Sequence, residues 1–185
     1  YVRDDPSEKG LKSYLDKESS GQKEEKILKS LGRVFRFSNT WFLTIAPGGI
    51  VGAVLTFSGL WGVPFLTEVY HLENATAATL CSLVMLAWAL SGPIYSLVSE
   101  RIQLRRMPYL IGTMISLISW SLVFLIPGWS LGLLSLLLFL AGFFSGGMIL
   151  GFAQGKETLP LSLSGTVSGV INMGVLTGPM LLQPL

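Results

Sequence analysis

The sequence contains one cysteine, Cys81, and one histidine, His71. A lone cysteine excludes an intrachain disulfide and a cysteine-rich metal centre. One histidine beside Glu68 and Glu73 does not make a zinc site, so no metal or other cofactor is expected. Charge is scarce too, and uneven. Sixteen of the 24 Asp, Glu, Lys and Arg residues precede Phe37, and eight are spread over everything after it. A soluble domain cannot cover its surface with so little charge, whereas a lipid-solvated bundle can. The net charge of +2 points to no nucleic-acid partner. No Gly-Lys-Ser phosphate loop is present, which excludes the nucleotide-binding part of a pump. No acid/base pair or metal cluster suggests an enzyme. The apolar windows also lack Asp, Glu, Lys, Arg and His at their centres, and such groups are the usual carriers of protons and ions inside a membrane. A proton-coupled protein with this sequence needs those groups in another part of a longer chain. The N-terminus at Tyr1 and the C-terminus at Leu185, inside an apolar stretch, suggest such a longer chain.

What is present is long uncharged sequence. Phe37–Thr67, Asn74–Ser99, Met107–Gly155 and Thr158–Leu185 carry no Asp, Glu, Lys or Arg. The third window is too long for one helix at about 20 residues per span, and Pro127-Gly128-Trp129-Ser130 divides it. Five spans result, near 38–66, 75–98, 108–127, 131–153 and 164–185. A lipid-facing segment must satisfy its own backbone hydrogen bonds, so the expected class is all-α, a polytopic transmembrane helix bundle. Residues 1–36 form a polar connector. Near its end Ile27, Leu28, Leu31, Val34 and Phe35 recur at helical spacing opposite Lys23, Glu24, Lys26, Lys29 and Arg33. That pattern predicts a short amphipathic helix on the membrane surface.

The cations orient the bundle. All 13 Lys and Arg fall in the 1–36 segment, in the loop after span two (Arg101, Arg105, Arg106) or after span four (Lys156). By the positive-inside rule that side is the cytoplasm, and residues 1–36 are cytoplasmic. Small residues four apart predict close helix contacts: Gly48 with Gly52, Gly142 with Gly146, Gly147 with Gly151, Gly165 with Gly169, and Gly174 with Gly178. Pro47 and Pro179 mark plausible kinks. Polar or aromatic candidates for solute contact are Asn172, Trp61 and Tyr95. Static packing, or a place in the interfacial aromatic belts, is the plainer role for Trp61 and Tyr95, while for Asn172 packing and solute contact both stay open.

The loop Ser96-Leu97-Val98-Ser99-Glu100-Arg101, followed by Arg105-Arg106, resembles the signature loop of the major facilitator superfamily, Gly-x-x-x-Asp-Arg-x-Gly-Arg-Arg. Ser96 stands for the glycine, Glu100 for the aspartate and Gln103-Leu104 for the inner glycine, and the loop is one residue longer. It is similar to the weaker copy between helices eight and nine of that family. The resemblance implies that the five spans are helices seven to eleven of the C-terminal six-helix half, preceded by the cytoplasmic connector. It implies a secondary active transporter (symporter, antiporter or uniporter) moving a small solute by alternating access, with protons as a candidate coupling ion. It implies an N-terminal half of the same chain as partner and the bilayer as surroundings, with a bacterial inner membrane the expected location. Ser96, Glu100, Arg101 and Arg105 become candidate residues of a cytoplasmic gating latch. The alternative is a receptor-like or scaffold membrane protein that keeps the fold and does not transport.

Overall fold

The computed structural model describes residues 27–184. The connector before Ile27, with Lys23, Glu24 and Lys26, lies outside the described residues. Helix α1 spans Ile27–Val34. Then come α2 (Ser38–Thr56), a π-helical turn at Phe57–Trp61 and α3 (Gly62–Tyr70), which together make one apolar rod. Next are α4 (Asn74–Ile102), α5 (Arg106–Leu125), α6 (Leu131–Ser145), a 3-10 turn at Gly146–Met148, α7 (Ile149–Thr158) and α8 (Ser164–Leu182). Every described element is helical. Five rods are long and apolar enough to cross a membrane: Ser38–Tyr70, Asn74–Ile102, Arg106–Leu125, Leu131–Thr158 and Ser164–Leu182. The first and second outrun their expected ends at 66 and 98. At 33 and 29 residues they measure about 50 and 44 Å, against a hydrocarbon core of about 30 Å. Their tips therefore reach the headgroups and carry Glu68, Glu100 and Arg101 without placing charge in hydrocarbon.

α8 packs chiefly along α2, and the seam is made of glycine. A Cβ on Gly48 would stand 2.5 Å from the Gly174 carbonyl oxygen, and one on Gly52 would stand 2.9 Å from the Gly178 carbonyl carbon. In return, a Cβ on Gly174 would collide with the Thr44 carbonyl, and one on Gly178 with the Gly48 carbonyl. α6 approaches α4 in the same way. Gly142 lies against the Val84 carbonyl and Gly146 against the Ser91 hydroxyl. Gly165 and Gly169 behave differently: both are exposed and nothing among the described residues lies within 4 Å of a Cβ there. α8 makes its close contact one face round, at Gly174 and Gly178. α-Helix runs through both Pro47 and Pro179, and the departures from α-geometry among the described spans fall at 57–61 and 146–148.

The core divides in depth. Toward the end bearing His71, Val54, Phe57, Leu66, Val84, Trp120, Val123 and Leu138 join α2 through α6. An aromatic group reinforces this cluster, with Phe57 edge-on to Trp120 at 5.0 Å and Trp120 stacked on Phe124 at 5.5 Å. Toward the other end, Val34, Leu43, Leu159, Leu163, Val167, Val170 and Ile171 join α1, α2 and α8. α1 thus spends part of its apolar stripe on protein. Leu31 and Val34 dock on the bundle, while Leu28 stays 84% exposed. A third group, Tyr95, Tyr109 and Leu150, sits between α4, α5 and α7. Ser116 and Ser145 join α5 to α6, their hydroxyls 2.8 Å apart and both in reach of the Ala141 carbonyl at 3.1 and 2.7 Å.

Gly178→Ala should lower stability by about 1–3 kcal/mol, the usual cost of overpacking, because its Cβ meets backbone that cannot swing aside. Gly132→Ala, with nothing within 4 Å of the new Cβ, should leave stability within about 0.5 kcal/mol. Thermal unfolding of both variants in detergent checks this. Equal shifts would show that the α2–α8 seam is not tight.

Candidate functional site

Charge among the described residues is confined to the two ends of the bundle. Glu68 and Glu73 lie at one end, next to His71. Lys29, Arg33, Arg36, Glu100, Arg101, Arg105, Arg106, Lys156 and Glu157 lie at the other, where α2, α5 and α8 begin and α4 and α7 finish. Indole and phenol groups mark both ends. Trp41 Nε1 donates to the Phe35 carbonyl at 3.1 Å at the basic end, and Trp129 Nε1 donates to Leu122 at 3.0 Å at the other. Tyr70 Oη donates to Val123 at 2.9 Å nearby. These are the positions where rings with one wet edge settle.

The α4–α5 loop is held by its own backbone and side chains. α4 closes on Gln103 at φ 54°, a left-handed conformation that glycine adopts most easily. The departure from the signature's inner glycine therefore falls on a residue that has taken a glycine-like backbone. Gln103 Nε2 donates to the Glu100 carbonyl at 2.6 Å, and the buried Ser99 Oγ donates to the Leu104 carbonyl at 2.7 Å. This turn delivers Arg105 across to the end of α7. Its Nε donates to Glu157 Oε1 at 3.1 Å and its Nη1 donates to Ser99 Oγ at 3.2 Å. One guanidinium thus ties α4, the loop and α7 together.

Of the four latch candidates, Arg105 is engaged. Ser96 is half-buried, and the Glu100 and Arg101 side chains are exposed with no ion-pair partner among the described residues. The acceptor is Glu157, which the sequence reading did not single out. Its signal was an acid in the loop after span four, on the same side as the arginines, but it sits beside Lys156 and reads as part of a neutral pair. The candidates for solute contact are not gathered into one cluster. Trp61 is 46% exposed and donates to the Gln183 carbonyl at 3.3 Å, tying the π-turn to the end of α8. Tyr95 is 7% exposed, with its hydroxyl over Gly112 and its ring against Gly147 and Phe143. Asn172 is exposed on the outer face of α8. Two further hydroxyls, Thr56 Oγ1 and Ser58 Oγ, are buried with no hydrogen-bond partner among the described residues where the π-turn begins. A π-turn disturbs the regular helix ladder, and such turns are frequent at functional sites.

Apolar rods of membrane length, close glycine seams and charge held to the two ends define an integral membrane protein of the helix-bundle class. The profile of the Major Facilitator Superfamily matches residues 1–182, and the chain belongs to that superfamily. Comparison with curated proteins finds no match. The membership makes this a membrane transporter of the major facilitator kind, whose partners are a small-molecule solute and the lipid bilayer.

A double-mutant cycle on Arg105→Ala and Glu157→Ala should give a coupling of about 0.2–1 kcal/mol, as for exposed pairs, and lose most of it in 1 M salt. Chemical unfolding of the four proteins in detergent reads the coupling. A value of zero at low salt would leave Arg105 tied to Ser99 alone.

Proposed function

We propose that the chain is the C-terminal half of a secondary active transporter that moves a small solute by alternating access. One observation carries the reading. The first and fourth spans are interrupted by non-α turns, at Phe57–Trp61 and Gly146–Met148, and each puts residues into separately packed core groups on the two sides of its break, Leu43 and Leu66 in the first, Leu138 and Leu150 in the fourth. A break in helix geometry between two separately packed regions is where a span can bend while each region keeps its contacts. The α2–α8 seam and α1 then travel as one unit, and the outer cluster of α3–α6 as another.

The face pattern supports a second helix bundle beside this one. α4 exposes Ala75, Ala78, Ser82 and Ala89 along one face, and α8 exposes Gly165, Gly169 and Asn172. Small and polar residues admit close helix contact, and they are wasted on lipid. α5 by contrast exposes Leu110, Met114, Leu117, Ile118 and Leu125, a face suited to acyl chains. The N-terminal half of the same protein is the natural occupant of the α4 and α8 faces. It also supplies the ionisable groups that proton coupling requires. The basic end faces the cytoplasm by the positive-inside rule, in a bacterial inner membrane. Arg105 with Glu157 is a cytoplasmic latch, and Glu100, exposed at the end of the Ala78–Ala89 face of α4, is free to meet the other half when that side closes, with Arg101 beside it on the neighbouring row.

Full-length protein in proteoliposomes should move at least one member of a broad solute panel down a solute or proton gradient. Full-length protein that binds a solute and never carries it would support the receptor-like alternative. Glu100→Gln combined with Arg101→Ala should shift the ratio of inward- to outward-facing molecules, read as the labelling rate of cysteines introduced along the α4 face at Ala78 and Ala89. Unchanged labelling would reduce these two charges to a role in topology.

A further inference from the structure

We propose that the cleft between α4, α5 and α6 at the basic end is a binding site for one anionic phospholipid. The acyl chain lies in the cleft and the phosphate sits on Arg101. The cleft has a volume of about 330 Å³. Ile94, Val98 and Ile102 of α4, Met107 and Ile111 of α5, and Phe143 of α6 form its walls. From Ile94 to Ile102 the wall runs about 12 Å along α4, against about 15 Å for one leaflet's share of the hydrocarbon core. The apolar wall ends at Ile102, the last residue of α4, so the cleft begins at the headgroup level and descends into the leaflet.

The rim supplies the charge. Arg101 follows Val98 by three residues and Ile94 by seven, which puts it on the same row of α4 as the wall. It is exposed, and no carboxylate among the described residues pairs with it. Arg106, the first residue of α5, is exposed beside Met107. Arg105 does not compete, because Glu157 and Ser99 hold it. No side chain caps the first turn of α5, so the Arg106 and Met107 N–H groups add to the positive field at the mouth. A basic rim over an apolar slot between transmembrane helices is the chemistry that recognises an anionic lipid.

A lipid suits this cleft better than another helix does. Its walls carry branched and aromatic side chains and no small-residue row for a helix backbone to approach. Beyond Arg106 the exposed face of α5 is apolar to its far end, as a lipid-facing surface is. The proposal does not depend on whether the protein transports or which solute it carries.

The test uses the full-length protein in nanodiscs of phosphatidylcholine with 30 mol% phosphatidylglycerol, followed by native mass spectrometry of the lipids retained after release. One phosphatidylglycerol should be retained in preference to phosphatidylcholine. Arg101→Gln should cut that preference about fivefold, the effect of one basic residue at a membrane surface. Val98→Trp, which fills the cleft and keeps the arginines, should abolish it. Lys156→Gln, a lost cation at the same end and away from the cleft, should leave it unchanged. Circular dichroism and thermal melting confirm that each variant is folded, and Arg101→Lys should retain most of the preference if Arg101→Gln misfolds. Equal retention of the two lipids overturns the proposal. So does retention unaffected by Val98→Trp, and so does an equal loss in Lys156→Gln, which would mean surface attraction without a site.

Discussion

A helix in lipid bonds its own backbone, and surrounding hydrocarbon gives it no hydrophobic reason to leave lipid for a neighbour. What draws helices together is close contact, and the smallest residues in the seam decide how close. Here α2 and α8 meet where Gly48, Gly52, Gly174 and Gly178 bring carbonyl groups against Cα atoms, leaving no room for a Cβ on any of the four. Much of the basic end depends on that seam. Leu43 of α2 reaches Val167, Val170 and Ile171 of α8 because the backbones are this near, and Val34 of α1 then has a cluster to dock on. Thr40 adds a polar tie, its Oγ1 donating to the Val34 carbonyl at 2.9 Å, which fixes the entry from α1 into the first span.

The same constraint explains the π-turn. Buried positions in the first span recur at Leu43, Pro47, Val51 and Val54, steps of four and three that keep one row against the bundle. The row then passes through Phe57 to Gly62 and Leu66. The step from Phe57 to Gly62 is five residues, the spacing of one π-turn. An uninterrupted α-helix would carry Gly62 away from Cys81, and a side chain at that glycine would collide with the Cys81 sulfur and the Phe57 carbonyl. The extra residue keeps the row in register with α4 above the break while the glycine seam holds α2 on α8 below it. Its cost is a disturbed ladder and two buried hydroxyls, Thr56 and Ser58, without partners in this bundle.

The spans were legible because a run of apolar residues needs only length to announce itself. Their faces were not, because lipid and protein interior ask for the same side chains. A soluble helix shows its buried stripe against polar residues; α6, with Leu133 and Leu136 exposed and Leu134, Leu137 and Leu138 buried, shows none. The glycine rows illustrate the limit. Gly165 with Gly169 and Gly174 with Gly178 have the same spacing on the same helix, and spacing tells which glycines share a row without telling which row meets α2. In sequence a charge reads as a stop, yet the helices Ser38–Tyr70 and Asn74–Ile102 run on past the uncharged windows. Glu100 and Arg101 instead complete the last turn of α4, where the rod has already left hydrocarbon. Ser99 and Glu157 were invisible for another reason: a hydroxyl in an apolar run and an acid beside a lysine gain meaning only from the guanidinium that the fold brings to them.

That guanidinium explains the concentration of charge in the α4–α5 loop. Three arginines in one short connector would suffice for topology wherever they pointed. The left-handed turn at Gln103 separates them. Arg101 precedes it and stays on the outer row of α4, continuing the line of Ile94 and Val98. Arg105 follows it and is turned inward, where the Ser99 hydroxyl and the Glu157 carboxylate receive it. Arg106 opens α5 and faces out again. A straight helix through this stretch would place Arg101 and Arg105 on one face, four residues apart and mutually repelling. The turn exchanges that repulsion for an ion pair to a third helix. It leaves the other two cations exposed at the end of the bundle where the bilayer's phosphates lie.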